Sequence, residues 1–337
     1  MTPDAPVTMT LIGCGGFARR YHVPALLEDV AVTVAAIVDP APHPDTIAFA
    51  HRYGAPVVSR LEELPDTRAP LSCALVTTPH MLHTAHVDAA LDRNLHVLVD
   101  KPFVMTAADA KRLALRADEQ RRVNGVAYNR RFDPGCIRAR EIVRDGGIGE
   151  VRFVQTVQLG YERAGWFLVP DMGGGGPYTG RATHMADLVP WLLGRAPTRL
   201  RSRLRTSSPT RSDHGGFIEV QLGDLEWQMT CIEEGWHMWD EVRIFGDDGL
   251  IELRRPLTAP IGWSLEWLSQ RGERREWQDA DSHPGDAMRD FLAALRTNAA
   301  PACTFADAVP SVALVEAAFA SGRGDGAWID LTPLTQP

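Results

Sequence analysis

The stretch Thr8-Met9-Thr10-Leu11-Ile12-Gly13-Cys14-Gly15-Gly16-Phe17-Ala18 decides the reading of this chain, because residues of strand character run straight into a G-x-G-x-x-A turn. Gly13 permits a tight turn, Gly15 lets a phosphate approach the backbone, and Ala18 lets the following helix lie close on the strand. Gly16 and Phe17 start that helix, where free N–H groups favour an anion. A glycine triplet alone says little, but this one follows a strand, precedes an expected helix from Phe17 to Leu27, and is answered by Asp39 at the end of the next strand, 21 positions beyond Ala18. Asp39 is placed to accept both ribose hydroxyls of NAD and to repel the 2′-phosphate of NADP, and Pro40 brings no cation to offset that repulsion. NAD is the expected cofactor, ahead of NADP. A plain role for Asp39 as a turn former before Pro40 stays open.

Working outward, apolar runs at Val32 to Val38, Cys73 to Val76, Leu95 to Val99 and Val123 to Tyr128 alternate with helical patterns at His80 to Arg93 and Thr106 to Arg121. Fully apolar strands separated by helices indicate a doubly wound parallel sheet covered on both faces. After a helix at Pro134 to Arg144 the texture changes. Strands are expected at Val151 to Leu159, Leu200 to Thr206, Phe217 to Leu222, Leu225 to Ile232 and Glu241 to Phe245, with one helix, Thr183 to Leu193, among them. Two late helices follow near Pro284 to Arg296 and Phe305 to Ser321. The expected fold is α/β followed by α+β: an N-terminal Rossmann-type doubly wound sheet over residues 1–125, then a C-terminal, mostly antiparallel, open-faced β-sheet domain over 126–337. An uncovered sheet face favours a homodimer or homotetramer.

The 337 residues, 45% of them apolar, suffice for two cores, and a net charge of −8 without long charge runs gives nucleic acid or an anionic membrane little to hold. No signal-peptide pattern opens the chain, so a cytoplasmic location is expected. The five cysteines form no CxxC pair and suggest buried thiols rather than disulfides or zinc. His80, His83 and His86 are spaced by three, but each helical step of three rotates the side chain by about 60°, which fans the imidazoles apart and argues against a metal.

Ligands of an open parallel sheet gather at the carboxyl ends of its strands. Two such ends stand out: Thr77-Thr78-Pro79-His80, and Asp100-Lys101-Pro102, whose Lys-Pro bond is open to the cis form. Both are expected to face the nicotinamide half of a dinucleotide. Tyr128 and Asn129, at the end of the last strand of this half, reach the same region.

With the glycine turn at Gly13, Thr78-Pro79 followed by His83, Lys101-Pro102, Tyr128-Asn129-Arg130-Arg131-Phe132, the run Gly174 to Gly176 with His184 and Asp187, and the helix before Ser321-Gly322-Arg323, the chain resembles the glucose-fructose oxidoreductase/inositol dehydrogenase (Gfo/Idh/MocA) family over nearly its whole length. The resemblance implies substrate held between the two domains over the nicotinamide, Lys101 as proton donor or acceptor, and His184 hydrogen-bonded to the reacting oxygen. The chemistry agrees, since hydride leaves a carbinol carbon only if the hydroxyl proton departs too, and a lysine with its pKa lowered by burial and cofactor charge accepts it. His83 is expected to secure the cofactor loop and His86 to lie on a helix surface.

Three positions depart from the family pattern. Asp100 replaces the usual Glu before the lysine, Gly180 stands where an aspartate often lies four residues before the histidine, and Phe167 follows Trp166 where relatives frequently carry a polar residue. Arg181, Asp187 and Asp171 are the candidates to replace the missing carboxylate, and Trp166, His237 and Asp240 are further substrate candidates. Asp187 lies three residues after His184, on one helix face, and either orients the imidazole or caps and solvates the helix. Trp227, Trp236, Trp239, Trp263, Trp267 and Trp277 suit a core or subunit interface. Three functions remain: an NAD-dependent oxidoreductase acting on a sugar, cyclitol or polyol; a redox-neutral glycosidase or lyase that uses NAD transiently; and a non-catalytic NAD-binding protein.

Overall fold

The computed structural model describes residues 5–64, 72–161, 164–175, 177–206, 213–233, 235, 237–256, 262–278 and 285–335, so Trp236 and Gly176 lie outside the described residues. The chain forms two units, Met1–Asn129 with His283–Ala308, and Arg130–Ser282 with Val309–Pro337.

In the first unit β1 (Val7–Ile12) leads through a helical turn into α1 (Val23–Leu27), followed by β2 (Val32–Val38), α2 (Pro44–Tyr53), β3 (Val57–Val58), β4 (Ser72–Val76), α3 (His83–Asp92), β5 (His96–Asp100), α4 (Ala107–Glu119) and β6 (Asn124–Ala127). The six strands are all parallel, in the order β3-β2-β1-β4-β5-β6. Strand order reverses at β1 and β4, which opens a crevice at their carboxyl ends, and this is where a doubly wound sheet binds its ligand. The helix expected from Phe17 to Leu27 is irregular: Ala18–His22 is a π-helical turn in which the Val23 amide returns to the Ala18 carbonyl. Pro24 explains it, for it has no amide hydrogen to return to Arg20, and the ladder widens by one residue ahead of it. At the start of α4, the Thr106 hydroxyl accepts from the Asp109 amide at 3.1 Å and donates to the Asp109 carboxylate at 2.9 Å, which caps the helix.

The second unit opens with α5 (Pro134–Arg144) and β7 (Val151–Leu159), then a short turn at Gly165–Leu168, α6 (Pro170–Gly173) and α7 (Pro177–Leu193). The strands β8 (Arg199–Thr206), β9 (Asp213–Leu222), β10 (Leu225–Ile232), β11 (Trp239–Gly246), β12 (Gly249–Pro256), β13 (Ser264–Ser269) and β14 (Arg274–Gln278) follow. Next comes α8 (Asp286–Thr297), which belongs to the first unit, then α9 (Phe305–Arg323), β15 (Ile329–Asp330) and α10 (Thr332–Thr335). The sheet runs β14-β13-β12-β11-β7-β10-β9-β8-β15, antiparallel throughout except for the β7–β10 pair. Along β10, Leu225, Trp227, Met229 and Cys231 are buried while Glu226 and Gln228 are exposed. One face of the sheet therefore packs beneath helices such as α7 and the other carries polar residues.

Several expectations change. Residues His283–Ala308 pack with the first unit rather than with a continuous 126–337 domain, because α8 lays Met288, Phe291, Leu292 and Leu295 against β5, β6 and α1. α7 begins at Pro177, not Thr183, so Gly180 and Arg181 lie inside it. β9 starts before Phe217, through two glycines: a Cβ at Gly215 would fall 2.0 Å from the Cys231 carbonyl oxygen, and one at Gly216 2.6 Å from that of Arg203. Glycine here marks close strand packing rather than a break. Trp227 and Trp263 are core residues, whereas Trp239, Trp267 and Trp277 are partly buried.

Candidate active site

In the first unit the ends of β1, β4 and β5 meet around the glycine turn. Gly13 has φ +82°, and a Cβ there would lie 2.8 Å from Thr78 Cγ2 and 2.9 Å from the Thr77 carbonyl oxygen, so only glycine fits. Gly15 and Gly16 are exposed, with nothing within 4 Å of where a side chain would project. The Gly15 carbonyl accepts the first helical bond from Arg19 at 3.0 Å, which leaves the amides of Gly16, Phe17 and Ala18 ahead of the ladder. This open, amide-lined cradle fits a pyrophosphate. Asp39 sits beside it: its carboxylate accepts from the Cys14 amide at 3.3 Å and the Ala41 amide at 3.0 Å.

The Thr77 hydroxyl donates to the Gly13 carbonyl at 2.7 Å and ties β4 to the turn. His83, fully buried, bridges the two strand ends singled out in the sequence: Nε2 lies 2.8 Å from the Thr78 carbonyl oxygen and Nδ1 2.8 Å from that of Pro102. A neutral imidazole donates to one of these and a protonated ring to both. Burial pulls the His83 pKa down, while the carbonyls and Asp100 act against it. His86 is not merely a surface residue, since its Nδ1 lies 2.8 Å from the Thr78 hydroxyl. The Lys101–Pro102 bond is cis, and the Lys101 ammonium stands 6.0 Å from the centre of the Phe17 ring, beside the glycine turn. Pro79 leads into the turn before α3. Tyr128 is buried, and the buried Oδ1 of half-buried Asn129 has no donor among the described residues, which suits it to accept from a ligand.

In the second unit the candidates lie on and around α7. His184 is half-buried, and Arg181, one turn earlier, is buried with Nε 2.7 Å from Glu233 and Nη1 3.5 Å from Asp240. Glu233 is the carboxylate that sequence reasoning missed. Asp240 lies in β11 rather than in a loop, only 2% exposed, and it gathers Arg130 at 2.6 Å, Arg255 at 3.6 Å and the Gln158 amide at 3.1 Å. These arginines hold its pKa down against the opposing effect of burial, while burial pulls Arg130 down to about 10. Asp187 is held by Arg131 through contacts of 2.5 to 3.2 Å, and Asp171 is exposed. Arg130 and Arg131 are therefore the buried partners of Asp240 and Asp187. A carboxylate stands close to Arg181 after all, neutralised by arginine, which suits it to fixing α7 rather than to accepting a proton. Trp166 and Phe167 stack at 3.8 Å between ring centres on the Gly165–Leu168 turn, and His237 lies 6.4 Å from the Trp239 ring. Among the described residues, no three His, Cys, Asp or Glu side chains are grouped to hold a metal.

The chain matches two family models: "Oxidoreductase family, NAD-binding Rossmann fold" over residues 7–128 and "GFO/IDH/MocA C-terminal domain" over 136–252. It is 29% identical to the dTDP-3,4-didehydro-2,6-dideoxy-alpha-D-glucose 3-reductase of Streptomyces antibioticus, an alignment covering 95% of this chain and 98% of the relative. Among solved structures, an aldose-aldose oxidoreductase from Caulobacter crescentus complexed with glycerol superposes with a TM-score of 0.85 at 20% identity, covering 97% and 100% of the two chains. A 3-ketoreductase from Actinomadura kijaniata in complex with NADP and TDP-benzene does so with 0.82 at 22%, covering 94% and 98%.

Proposed function

Because the chain belongs to the GFO/IDH/MocA family of NAD(P)-dependent sugar oxidoreductases, we propose that it interconverts a secondary alcohol and a ketone on a sugar, cyclitol or related polyol, with Lys101 as the general acid and base. The observation that carries this reading is the position of the Lys101 ammonium, 6.0 Å from the Phe17 ring at the edge of the glycine turn. The bound nicotinamide supplies the hydride acceptor or donor. Gly13, Gly15, Gly16, Phe17 and Ala18 cradle its pyrophosphate, and Asp39 takes the adenosine ribose, with a preference for NAD. Thr78, Pro79, His83, Asp100 and Pro102 shape the wall on the nicotinamide side, where Asn129 offers its free acceptor.

During oxidation Lys101 Nζ takes the hydroxyl proton as the C–H bond gives up its electron pair, and during reduction it returns that proton to the carbonyl oxygen. His184 holds the same oxygen. Trp166 and Phe167 present an aromatic face to the C–H side of the substrate, Tyr128 and His237 contribute lesser contacts, and Arg181 and Asp187 keep α7 in place. Replacing the lysine tests the reading. Lys101→Met should lower turnover on a polyol and keto-sugar panel by about 10²- to 10⁴-fold, the usual worth of a general acid or base, with NADH affinity within a few-fold of the parent. Full activity in that variant would remove the role. Net formation or loss of NADH, followed by absorbance, separates this enzyme from a redox-neutral glycosidase or lyase and from a non-catalytic binder.

A further inference from the structure

Pro40 gives the carboxylate of Asp39 no neighbouring cation, but the fold brings one from another element. Arg19 is the first residue whose amide enters the helical ladder after the glycine turn, donating to the Gly15 carbonyl at 3.0 Å, so its side chain springs from the rim of the amide cradle. Its Nη1 donates to the Thr46 hydroxyl at 3.4 Å, in the first turn of α2. That buried hydroxyl donates to the Cys14 carbonyl at 3.1 Å, and the Cys14 amide donates to the Asp39 carboxylate at 3.3 Å. Three hydrogen bonds through one residue of the glycine turn thus fix a guanidinium and a carboxylate on the same flank of that turn. Arg19 is half-buried and, among the described residues, has no carboxylate within ion-pair distance, Asp39 included. The other charges nearby are already engaged: Asp45 lies 3.2 Å from His43, and exposed Arg20 sits over the Tyr21 ring. A guanidinium held partly out of water, with most of its N–H donors unused, suits a bidentate anion such as a phosphate ester.

We propose that Arg19 is a specificity residue of the adenosine-ribose pocket: it receives the 2′-phosphate of NADP and offsets the repulsion from Asp39, so that the pocket takes both dinucleotides. This rests on the proposed contact between Asp39 and the ribose. The pyrophosphate is the other phosphate within reach of the turn, but the amides of Gly16, Phe17 and Ala18 serve it, whereas Arg19 is tethered to α2 on the flank that carries Asp39. Asp39 draws the diol of NAD, Arg19 draws the ester of NADP, and the two side chains together set the balance.

The test measures equilibrium affinity in the intact protein for the parent, Arg19→Gln and Arg19→Lys. The probes are NADH against NADPH, and 5′-AMP against adenosine 2′,5′-bisphosphate. In Arg19→Gln, NADPH and the bisphosphate should weaken by about 10- to 100-fold, the worth of a charge-assisted hydrogen bond, while NADH and 5′-AMP keep the parent's affinity. Arg19→Lys keeps a point charge without the planar fork, and should bind the two 2′-phosphate esters roughly 3- to 10-fold more tightly than the Gln variant. Equal losses for all four probes would put Arg19 on the pyrophosphate and overturn the proposal. Unchanged affinities, or a parent that takes NADH and no NADPH, would overturn it as well. Asp39→Ala, titrated alongside, separates the two readings. Equal losses of NADH and NADPH there would remove the ribose contact itself, whereas a selective loss of NADH with Arg19→Gln silent would overturn only the role of Arg19.

Discussion

The two oxygens of Asp39 accept from the Cys14 and Ala41 amides, which ties the carboxylate to the rim of the glycine turn. The preference for a ribose diol over a phosphate ester proposed for it is a matter of charge, and it is testable. Asp39→Ala should weaken NAD binding by about 10- to 100-fold, the worth of a charged hydrogen-bond acceptor, while NADP, which never gained from that charge, loses only a few-fold. Equal losses in titrations with the two nucleotides would contradict the ribose contact. Asp39, Gly13 and Lys101 were legible in sequence because their meaning is local: each closes a strand, and the strand's own pattern says where it ends. The pairing of Arg181 with Glu233 and Asp240 was not legible, because the partners lie 52 and 59 positions away and nothing beside Glu233 announces a buried ion pair.

At the scale of elements, β5 leads into the lysine proposed for catalysis and also bears on stability. At its start the buried His96 accepts the Val123 amide on Nδ1 at 2.8 Å, a bond that exists only while that nitrogen is unprotonated, and burial pushes its pKa from 6.5 down to about 4. Burial lowers His22 and His83 in the same sense. Below pH 6.5 the unfolded chain therefore binds protons that the folded one refuses, so stability falls as pH falls, and for His96 the loss runs on until about pH 4. Thermal melting midpoints measured across that range should fall steadily. The slope should be shallower in His96→Gln, whose amide oxygen still accepts from Val123 but does not titrate; an equal slope would show that His96 is not a source. The interior strands were plain from their apolar runs. α2 and β12 to β14 were missed: β14 has Trp277 alone among charged and polar residues, and α2 hides behind three closely spaced prolines.

For the whole molecule, the polar face of the large sheet poses the next question. Its charges are largely neutralised: Arg201 pairs with Glu219, Arg243 with Glu241 and Glu252, and Arg254 with Glu252. Among them Phe217 is 52% exposed and Phe153 and Phe245 contact one another at 5.8 Å. Paired ions interleaved with aromatic rings suit a self-complementary interface, and we propose that a second copy of this chain covers it. Light scattering should give the mass of a dimer or tetramer, and Phe217→Glu should shift it toward the 37.1 kDa of one chain. An unchanged mass, or a monomeric parent, would place the interface elsewhere.

The nucleotide-binding unit is also discontinuous, and this orders its biosynthesis. Arg296 clamps Asp29 at 2.6 and 2.9 Å, and Met288, Phe291 and Leu295 are buried, so β1 to β6 lack part of their covering until α8 arrives. A ribosome that has emitted everything through Asn129 has not yet supplied that helix. The first unit to begin emerging is completed only after most of the second has been translated, and the nascent chain must keep an apolar sheet flank soluble in the meantime.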